Sequence, residues 1–233
     1  MRAILVAAGM GTRLRPLTED TPKSLIEVNG MSLLERQIIM LREKGIEDII
    51  VLTGYLHQKF DALVEKYGLI KVINDKYDVY NNIYTMYLVR EYLSDAIVID
   101  ADNYLKNNFL PNESPEYSTY YSPLKKNVDN EWVFRYDDTY RITNVYIGTK
   151  DDKASNIMSG VSYWNKKDGK FIGEKIEEFV QNDGNMNEYW DSIPANNLDR
   201  INVKIVKLTD KDIFEIDSLQ DLQYLKDEVN IKK

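Results

Sequence analysis

The chain has 233 residues, with 38 Asp and Glu against 30 Lys and Arg, for a formal net charge of −8 at pH 7. That balance argues against nucleic acid or an anionic membrane as a general partner, and it requires any polyphosphate to be held by local cations and metal. Cysteine is absent, which excludes disulfides and thiolate chemistry. No apolar run approaches a membrane span, and Arg2 leads into a strand without a signal peptide, so a cytoplasmic protein is expected.

Arg2 to Ala7 is a short apolar run dense enough for a buried strand. Gly9 and Gly11 follow at once, and Arg13, Arg15 and Lys23 arrive within one loop. Backbone without side chains can press against a ligand, and successive N–H groups can face an anion. A strand feeding a glycine turn and a cation cluster suits a nucleoside triphosphate. The dinucleotide fingerprint is not met, since Leu14 stands at its third glycine, and the Walker pattern is absent.

Asn29-Gly30 reads as a turn, and Leu33, Leu34, Ile38 and Leu41 form a helical stripe within 31–44 before Gly45. Strands are expected over 49–53, 69–74 and 96–100, with helices over 56–67 and 82–92 between them. Strand alternating with helix implies a parallel sheet covered on both faces, with ligands at the carboxyl ends of its strands. The first strand ends at Ala7 and the fourth at Asp100, so these ends should meet at one cleft. Short strand-like runs follow over 117–122, 131–136, 141–146 and 157–164, read as antiparallel strands that extend the sheet and form an acceptor lobe. Helices are expected over 168–181 and 188–198, strands over 201–208 and 213–216, and a last helix capped by Ser218 with Asp221 at the capping-box position. The last few residues are expected to be loose.

The string from Ala7 to Leu25, AAG-x-G-T-R-L-x-P-L-T-x-x-x-P-K-x-L, resembles the signature of the nucleotidylyltransferase superfamily, whose members join a nucleoside monophosphate to a phosphorylated sugar or alcohol. The resemblance implies a Rossmann-like α/β fold, with a mixed, mostly parallel central sheet flanked by helices and a small antiparallel acceptor-binding lobe. It also implies that Ala7, Ala8, Gly9, Gly11 and Thr12 wrap the nucleotide while Arg13 and Lys23 grip its phosphates. Ser24 departs from the usual Ala or Pro. Tyr80, Asn81 and Asn82 fall where members contact the base, and Asp100 is counted with the nucleotide-binding residues.

In the superfamily a carboxylate just after the fourth strand binds Mg²⁺, and Asp102 occupies that place. FEIDSLQDL, residues 214–222, resembles the W-x-D-I-G-T-P-E-D-L string of the sugar-nucleotide members. In that register Glu215 is the second metal ligand, with Asp217 in reserve. One domain is expected over 1–233: a nucleotide-binding half (1–103), an acceptor-binding lobe (104–200) and a strand–helix completing the metal site (201–233).

Four stretches depart from the sugar enzymes: NDKYDVYNN (74–82), NEW (130–132), SGVSYW (159–164) and YWD (189–191). With DADN and EIDS they resemble the bacterial CTP:phosphocholine cytidylyltransferases over nearly the whole chain. A trimethylammonium group donates no hydrogen bond and is recognised by aromatic faces and a nearby carboxylate. Trp132, Tyr189 and Asp191 supply those parts, with Trp164 and Trp190 as further walls. The substrates expected are CTP and phosphocholine, joined by direct in-line attack without a general base. A sugar-1-phosphate, phosphoethanolamine or 2-aminoethylphosphonate acceptor, and a scaffold protein on a decayed transferase fold, are the alternatives. Oligomeric state is left open.

Overall fold

The computed structural model describes residues 1–209 and 211–231; the looseness expected of the last few residues concerns Lys232 and Lys233, which lie outside them.

β1 (Arg2–Ala7) forms as expected, and three 3₁₀ turns then carry the loop from Thr12 to Leu25. β2 (Glu27–Val28) and β3 (Met31–Ser32) pair around Asn29-Gly30, so helix α1 (Leu33–Glu43) starts at the first residue of the apolar stripe, two residues after the start of the expected 31–44 span. Ser32 Oγ caps it by accepting from the Glu35 N–H at 3.1 Å, and Gly45 at φ +74° ends it. β4 (Ile49–Thr53) is wholly buried. The helix expected from Leu56 starts one residue later, because Leu56 sits at φ +50°, and its first turn, 57–60, is 3₁₀ before α2 (Asp61–Tyr67). β5 (Ile70–Ile73) and α3 (Asn82–Tyr87) follow; Val89 at φ −120° leaves helical geometry, so the expected helix to Tyr92 ends early. β6 (Ala96–Asp100) and β7 (Asn103–Leu105) flank the turn that carries Asp102.

The second half contains β8 (Ser118–Lys125), β9 (Trp132–Tyr136), β10 (Ile142–Ile147), β11 (Ser155–Asn156), β12 (Val161–Trp164) and α4 (Lys166–Gln181). α5 (Ser192–Ala195) is all the α-helix that forms in the stretch expected to be helical over 188–198. β13 (Val203–Leu208), β14 (Ile213–Glu215) and α6 (Leu219–Ile231) complete the described chain. Ser218 caps this helix as expected, its Oγ accepting from the Asp221 N–H at 3.2 Å, while Asp221 Oδ2 accepts from the Ser218 hydroxyl at 2.7 Å and reaches one residue further back than a capping box, to the Asp217 N–H at 3.1 Å.

The central sheet runs β11-β8-β12-β6-β1-β4-β5, with β13 paired to β8. β5, β4, β1 and β6 are parallel; β12 lies antiparallel to β6 and β8 antiparallel to β12. Of the expected lobe strands, β8 and β12 therefore join the central sheet, while β9 and β10 form a separate hairpin. One apolar layer packs Leu5 and Val51 with Leu34 and Leu41 of α1; the other packs Ile4 and Val98 with Ile172 and Ile176 of α4. Cutting any of these leucines or isoleucines to alanine costs about 2–5 kcal/mol.

Strand order reverses about β1, which sits between β4 and β6, and Val6 lies beside Asp100. The carboxyl ends of β1 and β6 thus open into one cleft, as strand alternation implies. β14 pairs antiparallel with β7, placing Glu215 opposite Asn103, and the Ile216 N–H donates to the Asp102 carbonyl at 3.3 Å. That pairing returns the C-terminal segment to the cleft.

Candidate active site

The glycine loop leaves β1 at Ala7. Gly11 has φ +59°, and a Cβ there would lie 2.9 Å from Lys23 Cβ, so both backbone and packing require glycine. The Thr18 hydroxyl donates to the Gly11 carbonyl at 2.8 Å, closing the loop on itself. Gly9 has open space where a Cβ would stand. Ala7, Gly9, Gly11, Thr12, Arg13 and Lys23 line a recess of about 250 Å³ whose far wall is Asp102 and Asp217.

Lys23 Nζ donates to Asp102 Oδ2 at 2.8 Å and to Asp217 Oδ1 at 3.1 Å, and Arg13 donates to the same Asp217 oxygen at 2.8 Å. Burial works against the Lys23 ammonium, but Asp102 and then Asp217 outweigh it and hold its pKa above the ordinary lysine value. Oxygens of Asp102, Glu215 and Asp217 lie within 4.8 Å of one another. The carboxyl of Glu215 is pushed up to about 8, first by desolvation where it lodges and then by repulsion from Asp102 and Asp217. The Glu215 residue as a whole keeps solvent access, so its raised pKa signals a crowd of like charge as much as a dry site. Asp100 is also pushed well up, by burial and then by Asp102, Asp191 and Glu215.

The turn bearing Asp102 is held from behind. Gln37 is fully buried on the apolar face of α1, and its Nε2 donates to the carbonyls of Asp100 (3.2 Å) and Asn103 (2.8 Å). The Asn103 side chain donates onward to the Ser159 carbonyl at 2.8 Å. Gly160, at φ +73°, follows: a Cβ there would stand 2.3 Å from Asp100 Oδ2. None of these supports was named from the sequence. The one visible signal is Gln37 itself, a polar residue inside the stripe of Leu33, Leu34, Ile38 and Leu41.

A larger cleft of about 560 Å³ continues from Gly9, Arg13, Asp102 and Glu215 to Trp132, Tyr189 and Asp191. The Trp132 and Tyr189 rings meet edge to face, centroids 6.4 Å apart. Asp191 is 8% exposed, and the Tyr120 hydroxyl donates to its Oδ1 at 2.9 Å. Burial pushes the Asp191 carboxyl up to about 7, with the Tyr120 bond opposing the rise. Tyr80 and Asn81 also reach this cleft, together with Ala8 and Asp100. The Asn81 amide is engaged in structure: Oδ1 accepts from the Asn82 N–H (2.7 Å) and Nδ2 donates to the Asn187 carbonyl (3.0 Å). Asn82 Oδ1 in turn accepts from the Trp190 N–H at 2.8 Å, so the start of α3 fixes the segment carrying Tyr189 and Asp191.

Trp164 is not a wall of this cleft. It is fully buried, its Nε1 donates to Ser162 Oγ at 3.0 Å, and its ring packs edge-on against Tyr120 and Trp190. β12 lies between β6 and β8 inside the sheet, so a large ring on it belongs to the core. Trp190, 2% exposed, is core as well.

Comparison with known proteins follows the same lines. A family model described as Nucleotidyl transferase matches residues 2–108. The chain is 44% identical to the choline-phosphate cytidylyltransferase of Streptococcus pneumoniae, over 97% of both chains. It is 34% identical to that of Haemophilus influenzae over 97% of this chain and 96% of the relative. It is 32% identical to the 2-aminoethylphosphonate cytidylyltransferase of Lancefieldella rimae over 94% and 89%. A solved structure of the Streptococcus pneumoniae CTP:phosphocholine cytidylyltransferase superposes with a TM-score of 0.93, covering 98% of each chain. No helix among the described residues is long and apolar enough to cross a membrane.

Proposed function

The chain belongs to the nucleotidyltransferase family, with choline-phosphate cytidylyltransferases among its full-length relatives, and on that premise we propose that it transfers CMP from CTP to phosphocholine, releasing diphosphate. The observation that carries this reading is one continuous cleft. Its near end is a glycine loop with Arg13 and Lys23 facing a carboxylate cluster; its far end holds two aromatic rings and one buried carboxylate. A quaternary ammonium needs that far end, each ring face contributing about 0.5–2 kcal/mol. A sugar would need a ring of polar groups for its hydroxyls. The cleft belongs in the cytoplasm, where nucleoside triphosphates are supplied.

The division of labour runs along the chain. Residues 1–103 bind the nucleotide through Ala7, Ala8, Gly9, Gly11, Thr12, Arg13 and Lys23, with Tyr80, Asn81 and Asp100 facing base and ribose. Residues 104–200 bind the acceptor, and the segment from 201 completes the acidic cluster.

That cluster fits a hard divalent cation: its donors are all carboxylate oxygens, close enough to share one ion, and the Lys23 ammonium already bridges Asp102 and Asp217. Asp102 and Glu215 would hold magnesium, with Asp217 beside them; when bound, it supplies charge neutralisation at the phosphates. Lys23 and Arg13 turn from their carboxylate partners to the phosphates of CTP. Trp132, Tyr189 and Asp191 fix the choline end, so that a phosphate oxygen of the acceptor faces the α-phosphorus. That oxygen forms the new P–O bond while the bond to the β-phosphoryl oxygen breaks in line. The attacking oxygen is already anionic, so no general base is required. Alignment of the two substrates is worth about 7–11 kcal/mol, and Lys23 and Arg13 offset the charge that builds on the leaving diphosphate.

The test is diphosphate release over a grid of four nucleoside triphosphates against phosphocholine, phosphoethanolamine, 2-aminoethylphosphonate and glucose-1-phosphate. CTP with phosphocholine should give the highest kcat/KM. A preference for a primary amine would reassign Asp191 as its hydrogen-bond acceptor, and a preference for the sugar phosphate would overturn the reading.

A further inference from the structure

We propose that Lys125 holds the phosphate of the acceptor, and that Glu131 is the partner it leaves when that phosphate arrives. The inference rests on the phosphocholine reading and names the part that reading leaves open.

The far half of the cleft suits a cation and opposes an anion. Glu131 and Asp191 line it beside the aromatic rings, Asp100, Asp102 and Glu215 line the rest of the cleft, and Arg13 is the one cation lining that cleft among the described residues. Arg13 and Lys23 stand at the near end, where CTP and the leaving diphosphate require them. Phosphocholine nevertheless brings a phosphate dianion only a short chain away from its ammonium. A cation at Asp102 and Glu215 would serve the reacting phosphates, and an acceptor seated by its choline end is served further by a positive charge on the side of the cleft near Glu131.

Lys125 ends β8 and pairs with the Glu131 carboxylate. It lines a smaller recess together with Ser159 and Glu215, and both of those residues also line the main cleft. Its charge is felt at Glu215, where it helps hold the carboxyl down. The Lys125 side chain is 46% exposed and Glu131 is 27% exposed. An ion pair this open to water is weak, so the lysine can be drawn off by a dianion. Its flexible stem and three donors suit a point-charge contact to phosphate. Glu131 directly precedes Trp132, so the pair that opens and the ring that seats the choline lie on adjacent residues.

The experiment measures kinetic constants for Lys125→Arg, Lys125→Met and Lys125→Glu, with choline as a competitive inhibitor lacking the phosphate. Lys125→Met should raise the KM for phosphocholine about tenfold or more, as expected for a lost charge-assisted contact. Lys125→Glu should raise it further, and Lys125→Arg should restore most of the loss. The KM for CTP and the inhibition constant of choline should stay within about twofold. Glu131→Gln, which frees the lysine, should lower the phosphocholine KM. A phosphocholine KM unchanged in Lys125→Met, or choline inhibition weakened to the same degree, would overturn the proposal. Failure of the underlying reading shows separately, as lack of turnover of phosphocholine by the unsubstituted enzyme.

Discussion

Lys23 Nζ lies 2.8 Å from Asp102 Oδ2, so a cation assigned to phosphate and a carboxylate assigned to metal neutralise each other across the cleft. Each must change partners for the reaction, and each has a second group nearby to ease the exchange: Asp217 for Lys23, Glu215 for Asp102. Asp102→Asn should therefore lower kcat by about 10³ or more, since charge at the reacting phosphates is the largest catalytic term of such sites. The fold should survive, because Lys23 keeps Asp217 and the turn keeps its bonds from Gln37. Rate and thermal midpoint measured on one preparation separate the two effects. A fall in both would make Asp102 a structural residue.

The raised carboxyl of Glu215 sets a pH dependence with a definite sign. With its pKa at about 8, the group is mostly protonated at neutral pH and must lose its proton to hold a cation. The magnesium concentration for half-maximal rate should fall as pH rises from 7 through about 8, and Glu215→Gln should abolish turnover at any pH. Stability follows the opposite course. The unfolded chain releases this proton near the ordinary glutamate value of 4.5, whereas the folded protein keeps it to about 8. In chelator the protein should lose stability as pH climbs between those values, and magnesium should flatten that slope. Melting curves with and without the ion check it; parallel curves would remove Glu215 from the metal site.

Trp132→Ala and Tyr189→Ala should each raise the phosphocholine KM roughly 2- to 30-fold while sparing CTP, the range expected for one aromatic face on a cation. Asp191 adds a titration. Its carboxyl, at about 7, attracts an ammonium only when ionised, so choline inhibition should strengthen as pH rises through that value. Choline is the right probe because it carries no phosphate to titrate. Tyr120→Phe removes the hydrogen bond that opposes the rise, and should move the midpoint upward. An unmoved midpoint would mean that another group titrates.

Local pattern made part of this site legible. The glycine loop, Arg13 and Lys23 stand within one short stretch, and their order alone suggests phosphate. The alternation of strands and helices located the cleft at the ends of β1 and β6. Only resemblance pairs Asp102 with Glu215, since 113 residues separate them and no periodicity links them. What the sequence hid depends on packing between distant segments. Gln37 works on carbonyls 63 and 66 residues away, and Tyr120 on a carboxylate 71 residues away. Trp164 shows the same limit from the other side: an aromatic residue in the SGVSYW stretch that carries the resemblance reads as a ligand wall, and only the sheet order reveals that its strand is interior.

Gly160 tests whether that hidden support matters. At φ +73° an L-residue is strained by about 1–2 kcal/mol, and a Cβ would stand 2.3 Å from Asp100 Oδ2 and 2.8 Å from Asp100 Cβ. The side chain of Asp100 cannot stay where it is, because Ala101 and Asp102 follow on the turn fixed by Gln37. Gly160→Ala should thus displace Asp100 into the cleft toward Asp102 and Glu215, lowering kcat and weakening CTP binding together. Phosphocholine seated at Trp132 should be less affected, which makes the ratio of the two KM changes the diagnostic reading. Gly160→Ala combined with Asp100→Gly removes the contacts with the Asp100 side chain and leaves the backbone strain at position 160. CTP binding in the double variant equal to that of Asp100→Gly alone would establish that Gly160 makes room for the Asp100 side chain. An additive loss would show that the glycine serves the turn alone.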